Sequence, residues 1–581
     1  MLKLVRFLKG YRLKTIFGPF FKLVEAVFEL FVPIVVAWII DTAIPQANAG
    51  DSSGILKGGA LILALGVVGL GFALVAQFFA SRASLGFGTN LRRELYAHIN
   101  TFSYSELDKF STASLITRLT SDVNQTQQGV AMFIRLILRA PFIVVGAIVM
   151  TMTIDMQLSL VFLATAIVVG AILFAILSFT LPKYKEVRSK LDDVTRLTRE
   201  NLSGARVVRA FAAEEREEAA FTAANDVLTK MSVKVGAFSA LLNPLTYAIM
   251  NLGIIALLYF GGIKVNSGSL TQGEVIALVN YMTQILNALV VFANLLVTFT
   301  KASASAARIN EVFAVKSSMP DGDGATPDFS APAIDLKNVY FTYGSSASPS
   351  ISNANLTLEK GETLGILGST GSGKSTLISL ITRLYDATEG TVNVFGNDVK
   401  NYTRDELSHI FGVVPQSAVL FKGTIRDNLQ WGKPDATDEE IDSALKISQS
   451  AEFVYAKEKG LDSEISQDGK NLSGGQRQRL TIARALVGSP EILILDDSSS
   501  ALDFATDAKL RKALSEEAAT RKLTVINISQ RAAGLRHCDR IIVMDDGKIV
   551  GSGKHDELYA SCEVYREICD SQNKEGSEND R

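Results

Sequence analysis

Gly368–Ser375 reads GSTGSGKS; the apolar run TLGIL (363–367) precedes it and STLISLITRLY (375–385) follows. This strand, glycine loop and helix decide the fold of the C-terminal half. The spacing G-x4-GK-[ST] lets backbone N–H groups converge on phosphate oxygens at a helix N-terminus, whose partial positive charge favours anions. Gly368, Ser369, Thr370, Gly371, Ser372 and Gly373 form the cradle. Lys374 supplies a cation for β- and γ-phosphates, and Ser375, followed by Thr376, offers a hydroxyl to Mg²⁺. ATP with Mg²⁺ is the ligand this pattern predicts.

Two further stretches extend that chemistry. EILILDD (491–497) is an apolar strand ending in acids, which delivers Asp496 to a metal at the sheet's carboxyl edge. LSGGQ (472–476) opens the helical pattern RQRLTIARAL, so Ser473, Gly474, Gly475 and Gln476 form a second anion site. A protein binding ATP within one domain does not need it. Short apolar runs alternating with helical patterns from 334 to 570 predict an α/β P-loop domain.

Further upstream the chain changes solvent. Residues 1–310 hold 28 Lys/Arg and 19 Asp/Glu, a balance of +9, whereas 311–581 hold 30 and 41, a balance of −11. The near-neutral total of −2 excludes a strongly basic nucleic-acid binder, and no nucleic-acid partner is expected. Six apolar stretches, about 16–40, 59–80, 133–153, 158–181, 238–260 and 275–300, are long enough to cross a hydrocarbon core of about 30 Å. They predict an all-α six-span membrane domain over 1–310, a Pro/Gly/Asp-rich linker over 311–333, and a disordered tail over 571–581.

Lysines and arginines gather in the leader, between spans two and three, and between spans four and five. That bias predicts both termini in the cytoplasm of a multi-pass membrane protein. The two basic connections are expected to be helices continuing beyond the bilayer, with Leu115–Gln127 and Glu200–Ala212 as short exposed segments. Charges inside a span mark function or pairing. Glu25 and Glu29, one turn apart, either face a water-filled cavity or pair locally, Glu25 with Lys22. Asn280, Gln284, Asn287 and Asn294 share about 80° of arc on the last span at about 100° per residue. That stripe either lines a translocation path or holds helices together. Cys538, Cys562 and Cys569 show no metal or disulfide spacing.

LSGGQ between the phosphate loop and ILILDD resembles the ATP-binding cassette family, and six spans ahead of one cassette resemble an exporter half-transporter. The resemblance implies that Tyr343 (FTYG) stacks on adenine, that Gln416 (VVPQ) senses the metal and the interface, and that Asp503 (SALD) touches a second cassette. In that family two halves combine, and each ATP lies between one phosphate loop and the opposite LSGGQ.

Two residues depart from the family pattern. Asp497 replaces the glutamate that polarises the attacking water; one missing methylene withdraws the carboxylate by about 1.5 Å, and a base must lie within about 2.6–3.2 Å of its proton donor. Gln530 replaces the switch histidine, and an amide cannot carry the imidazole's proton. Gln467 also replaces a glutamate common before LSGGQ. The resemblance then implies a degenerate site in a heterodimer, whose partner is a second half-transporter with an intact glutamate and histidine. A slow homodimer is the alternative. The expected function is ATP-driven export of amphiphilic, drug-like substrates in contact with membrane lipids, with a lipid or lipid-precursor flippase as the second reading.

Overall fold

In the computed structural model the described residues are all except Ser345, Ala347, Ser499, Ser500 and 579–581, and for Leu2 and 573–578 only the backbone is described. They form two compact units, residues 1–100 with 112–315, and residues 101–111 with 316–581.

The first unit holds six helices long and apolar enough to cross a membrane: Arg12–Asn48, Ser53–Ile99, Thr112–Ile154, Met156–Ser203, Glu214–Asn266 and Gln272–Ala314. The second alone has 47 residues, about 70 Å at 1.5 Å per residue, more than twice the hydrocarbon thickness. Its core gathers Phe162 from the fourth span, Leu257 from the fifth, and Leu278 and Tyr281 from the sixth. Tyr281 is fully buried and donates its hydroxyl to Leu30 O at 2.6 Å, which satisfies its one polar atom. Asp155 caps the fourth span, accepting from Gln157 N at 2.9 Å and Leu158 N at 2.8 Å, and ion-pairs with Lys264. Burial opposes ionisation of the Asp155 carboxyl, but these hydrogen bonds and the ammonium outweigh it and hold the group below its ordinary range.

Leu115–Gln127 is not a separate helix. It continues the third span through a π-helical turn at Arg118–Asp122, where Asp122 is buried and ion-pairs with Arg308 of the sixth. The short helix is instead Tyr104–Phe110, within the segment that groups with the second unit. Ser103 and Glu106 open it as a capping box, and Ser111 at φ 57° closes it. The second candidate does contain a short helix, Ala205–Ala210, between Gly204 and Ala212, the latter at φ 47°.

The second unit contains twelve strands among the described residues. They are β1 (Ile334–Phe341), β2 (Ile351–Leu358), β3 (Thr363–Gly368), β4 (Glu389–Val394), β5 (Asn397–Asp398), β6 (Phe411–Val414), β7 (Gly423–Thr424), β8 (Glu464–Ile465), β9 (Ile492–Asp496), β10 (Thr524–Ser529), β11 (Arg540–Asp545) and β12 (Lys548–Gly553). The main sheet runs β12-β11-β3-β10-β9-β6, parallel except at β12; an antiparallel sheet β2-β1-β4-β5 and the small pair β7-β8 complete the set. Strands covered on both faces need continuous apolar runs, hence sequences such as ILIL (492–495) rather than alternating ones. Ile492–Leu495 and Ile541–Met544 are accordingly buried throughout. The expected disordered tail is helical as far as Glu578. Tyr565 and Cys569, one turn apart and buried in one cluster with Leu367 of β3 and Ile541 and Val543 of β11, anchor it; 579–581 lie outside the described residues.

Candidate nucleotide site

In a parallel sheet the loops at the carboxyl ends of the strands fall on one edge. Here β3 ends at Gly368, β6 is followed by Gln416, β9 ends at Asp496 and β10 is followed by Gln530. One sheet edge therefore collects the residues on which the sequence reading rested.

The loop between β3 and the helix Lys374–Ile381 needs its glycines. Gly371 and Gly373 adopt φ of 86° and 98°, and a Cβ on Gly373 would lie 2.9 Å from Ser350 O. Ser369, Thr370, Gly371 and Ser375 are exposed, whereas Ser372, Lys374 and Thr376 are buried. The Lys374 ammonium donates to Gly368 O at 2.8 Å and Ser369 O at 2.6 Å, folded back along the loop. Tyr343 stands edge-on to Phe341 and Tyr385, with its hydroxyl donating to Thr376 Oγ1 at 3.2 Å.

The charges at this edge are poorly solvated. Burial pushes the Lys374 pKa down, against the pull of Asp496 and Asp497. Burial likewise pushes the Asp496 carboxyl up, with Asp497 adding to the rise and Lys374 opposing it. A polyphosphate bringing a divalent cation supplies what both groups lack, an anion for the ammonium and a cation for the acid. The available donors, Ser375 hydroxyl, Gln416 carbonyl and Asp496 carboxylate, are hard oxygens that suit Mg²⁺, and no cluster of three or more His, Cys, Asp or Glu occurs among the described residues. The loop and donor set fit MgATP.

Asp497 leaves the strand with φ 45° and its N–H donates to Ile528 O at 2.9 Å. That left-handed turn and bond pin the backbone, so the side chain must cover any remaining distance to a ligand. Gln530 is exposed, and its Oε1 accepts from Thr370 Oγ1 at 3.4 Å, joining the switch position to the phosphate loop. Asp503 caps the helix Phe504–Arg521 by accepting from Thr506 N at 2.9 Å.

Ser473–Gln476 opens the helix Gly474–Val487 as a reciprocal capping box. Gln476 N donates to Ser473 Oγ at 3.2 Å and Ser473 N donates to Gln476 Oε1 at 3.0 Å. Ser473 and Gly474 are exposed, and a Cβ on Gly474 would meet open space. Among the described residues, no hydrogen bond joins Ser473–Gln476 to the phosphate loop.

In the membrane unit, Glu25 accepts from Lys22 at 2.5 Å, and Arg139 lies 2.7 Å from Glu29 and 3.9 Å from Glu25. Two acids and two bases cancel, so local pairing is extended by an arginine the sequence reading did not connect to them. Gln284 is half-buried, donating to Glu29 O at 3.4 Å; Asn280, Asn287 and Asn294, seven residues apart, are exposed. The sequence reading also missed Tyr385, whose hydroxyl donates to Asp108 Oδ2 at 2.6 Å. Its ring also meets Tyr104 and Tyr343. Nothing in the local sequence pairs positions 277 residues apart.

Comparison with known proteins finds two family models, ABC transporter transmembrane region over residues 15–289 and ABC transporter over residues 351–500. An uncharacterized ABC transporter ATP-binding protein of Mycobacterium tuberculosis is 38% identical over 572 residues, 97% of each chain. A multidrug efflux ATP-binding/permease protein of the same organism is 31% identical over 94% of this chain and 45% of its own length. An ATP-dependent lipid A-core flippase of Syntrophus aciditrophicus is 31% identical over 84% of this chain and 80% of its own. The structure of a bacterial Atm1-family ABC exporter with ATP bound superposes with a TM-score of 0.76 at 22% identity, covering 97% of this chain and 98% of that one.

Proposed function

The chain belongs to the ATP-binding cassette (ABC) transporter family, as a multi-pass membrane protein whose ATPase domain couples ATP hydrolysis to transport; from that premise we propose that it is the degenerate-site half of a heterodimeric exporter of amphiphilic compounds. The observation that carries this reading is the pairing of an altered edge with an intact signature. Asp497 and Gln530 stand where a longer base and an imidazole would act, whereas LSGGQ is complete, with Ser473 and Gly474 exposed at its helix start.

The chemistry follows from the geometry. Mg²⁺ would be held by Ser375, Gln416 and Asp496 and would neutralise charge on the phosphates. Lys374 and the loop amides hold the β- and γ-phosphates, and Tyr343 offers a ring to adenine. Asp497 has its backbone pinned at Ile528, so its carboxylate stops about 1.5 Å short of where a glutamate would reach, and water at this loop is weakly activated. Gln530 can hydrogen-bond a γ-phosphate without taking up a proton. This loop thus retains ATP, while Ser473–Gln476, with Asp503 beside the second cassette, completes the partner's hydrolytic site.

ATP bound by both cassettes favours their closed pairing, and its hydrolysis at the partner's loop resets it; the differential affinity for nucleotide drives the switch. The basic leader and the basic connections between spans two and three and four and five support a cytoplasmic side for them at the plasma membrane, and the cassette that follows the sixth span lies on that same side. The exposed amides Asn280, Asn287 and Asn294 suit a wall that meets amphiphilic cargo. Flipping of lipids or lipid precursors is the second reading, supported by the similarity to the lipid A-core flippase.

The test is ATP-driven flux in proteoliposomes of the purified native complex. Uptake of a cationic amphiphilic dye, abolished by Lys374→Ala, is the expected result. Dye flux absent while labelled lipid moves between leaflets selects the flippase, and no flux of either removes both readings.

A further inference from the structure

The switch segment after β10 leaves the sheet ladder at Ser529, the last residue of that strand paired to β3, opposite Leu367. Two backbone groups beyond that point, Gln530 O and Ala532 N–H, then need partners. One side chain serves both: Gln572 Nε2 donates to Gln530 O at 2.7 Å, and Ala532 N donates to Gln572 Oε1 at 3.0 Å. A primary amide presents a donor and an acceptor in one plane, so it continues the ladder where the strand has ended.

The amide has a fixed base. Gln572 lies one turn beyond Cys569 on the C-terminal helix Glu563–Glu578, and Tyr565 and Cys569 are buried in the cluster that contains Ala532 and Leu367. His555 Nδ1 lies 2.7 Å from the Tyr565 hydroxyl and ties that ring as well. Leu367 immediately precedes the phosphate loop, so one helix registers both the strand that feeds the loop and the segment that faces it. The Gln530 side chain meets the loop at Thr370, 3.4 Å away, while its carbonyl is held from behind by Gln572.

We propose that Gln572 is a positioning residue for the nucleotide site: it clamps residues 530–532 so that the Gln530 side chain stays directed at the γ-phosphate end of the phosphate loop. This rests on the reading of Gln530 as the switch position.

The experiment uses the full-length native complex and reads nucleotide at this chain alone, by photo-crosslinking of 8-azido-ATP to the band at this chain's mass, competed by ATP or by ADP. ADP lacks the γ-phosphate, so it reports general integrity of the site. Gln572→Ala is expected to weaken competition by ATP about three- to tenfold, the worth of a neutral hydrogen bond, with ADP unchanged. Gln572→Glu keeps an acceptor for Ala532 N–H but sets a carboxylate against Gln530 O, and the same ATP-selective loss is expected. In a Gln530→Ala background, which itself loses ATP selectivity, the Gln572→Ala effect disappears. Equal weakening of ATP and ADP, no weakening of either, or an undiminished effect in the Gln530→Ala background overturns the proposal. If Gln530→Ala alone leaves ATP competition unchanged, the switch reading itself fails and takes the clamp with it; if Gln530→Ala is effective and Gln572→Ala is not, the clamp alone fails.

Discussion

If this chain's own ATP site is slow because its base is too short and its switch side chain cannot take up a proton, restoring both should release it. The perturbation is Asp497→Glu with Gln530→His, placed in a Gly475→Asp background so that the partner's site, which relies on this chain's signature, is silenced. A side chain at Gly475 must be accommodated 3.1 Å from Ala501 O and brings an anion to the exposed helix start. One methylene returns about 1.5 Å to the carboxylate, and a well-placed acid–base group contributes about 10²–10⁴-fold. Against this, Asp497 sits at φ 45°, which aspartate tolerates better than glutamate, with a cost of about 1 kcal/mol for the longer side chain. About a tenfold to hundredfold rise in phosphate release at saturating ATP is therefore expected, or about 1.4–2.8 kcal/mol off the barrier. The assay is steady-state phosphate release by the purified complex, with ATP retention at this chain checked by photo-crosslinking. Retained ATP with no rise in turnover would refute the degenerate-site reasoning.

Two other outcomes follow from named contacts. Tyr385→Phe keeps the ring contacts with Tyr104, Phe341 and Tyr343 and removes only the hydrogen bond to the exposed Asp108, worth about 1 kcal/mol at such a site. ATP binding should be unchanged, while stimulation of ATPase by transported substrate should fall about two- to fivefold; unchanged stimulation would remove Tyr385 as a link to the segment 101–111. Asp155, held below its ordinary pKa on folding, contributes stability that is present above its unfolded pKa of about 3.9 and is lost as pH falls through its lower folded value. Lys264→Met should shrink that acid-side loss, read as a smaller drop in melting temperature between pH 6 and pH 3 in detergent.

The fold class was legible because its signals are local: apolar runs of bilayer length, and a glycine loop between a strand and a helix. What the sequence concealed depends on partners far along the chain. Glu25 and Glu29 suggested either a cavity or a local pair, and the deciding residue, Arg139, is 110 positions away from Glu29. The segment 101–111 joins the second unit through Glu106, which accepts from Ser318 N at 3.2 Å, and through Asp108 with Tyr385; neither acid is distinctive in an amphipathic stretch. Leu115–Gln127 has the polarity of an exposed helix, but it continues the third span, with Asp122 buried and ion-paired to the half-exposed Arg308. At the C-terminus the polar composition after Cys569 concealed Gln572, whose two backbone partners lie 40 and 42 residues earlier. For the candidate nucleotide edge, motif spacing named the residues; the left-handed turn at Asp497 and its bond to Ile528, from which the short reach of its side chain is argued, appear only in three dimensions.

The most direct measurement is the subunit composition of the active transporter. This chain, tagged and purified from its native membrane under conditions that preserve ATP-driven flux, should bring down in equal amount a second half-transporter whose sequence carries a glutamate after its own strand-end aspartate and a histidine at its switch position. A complex containing this chain alone, with full ATP-driven flux, would contradict the account.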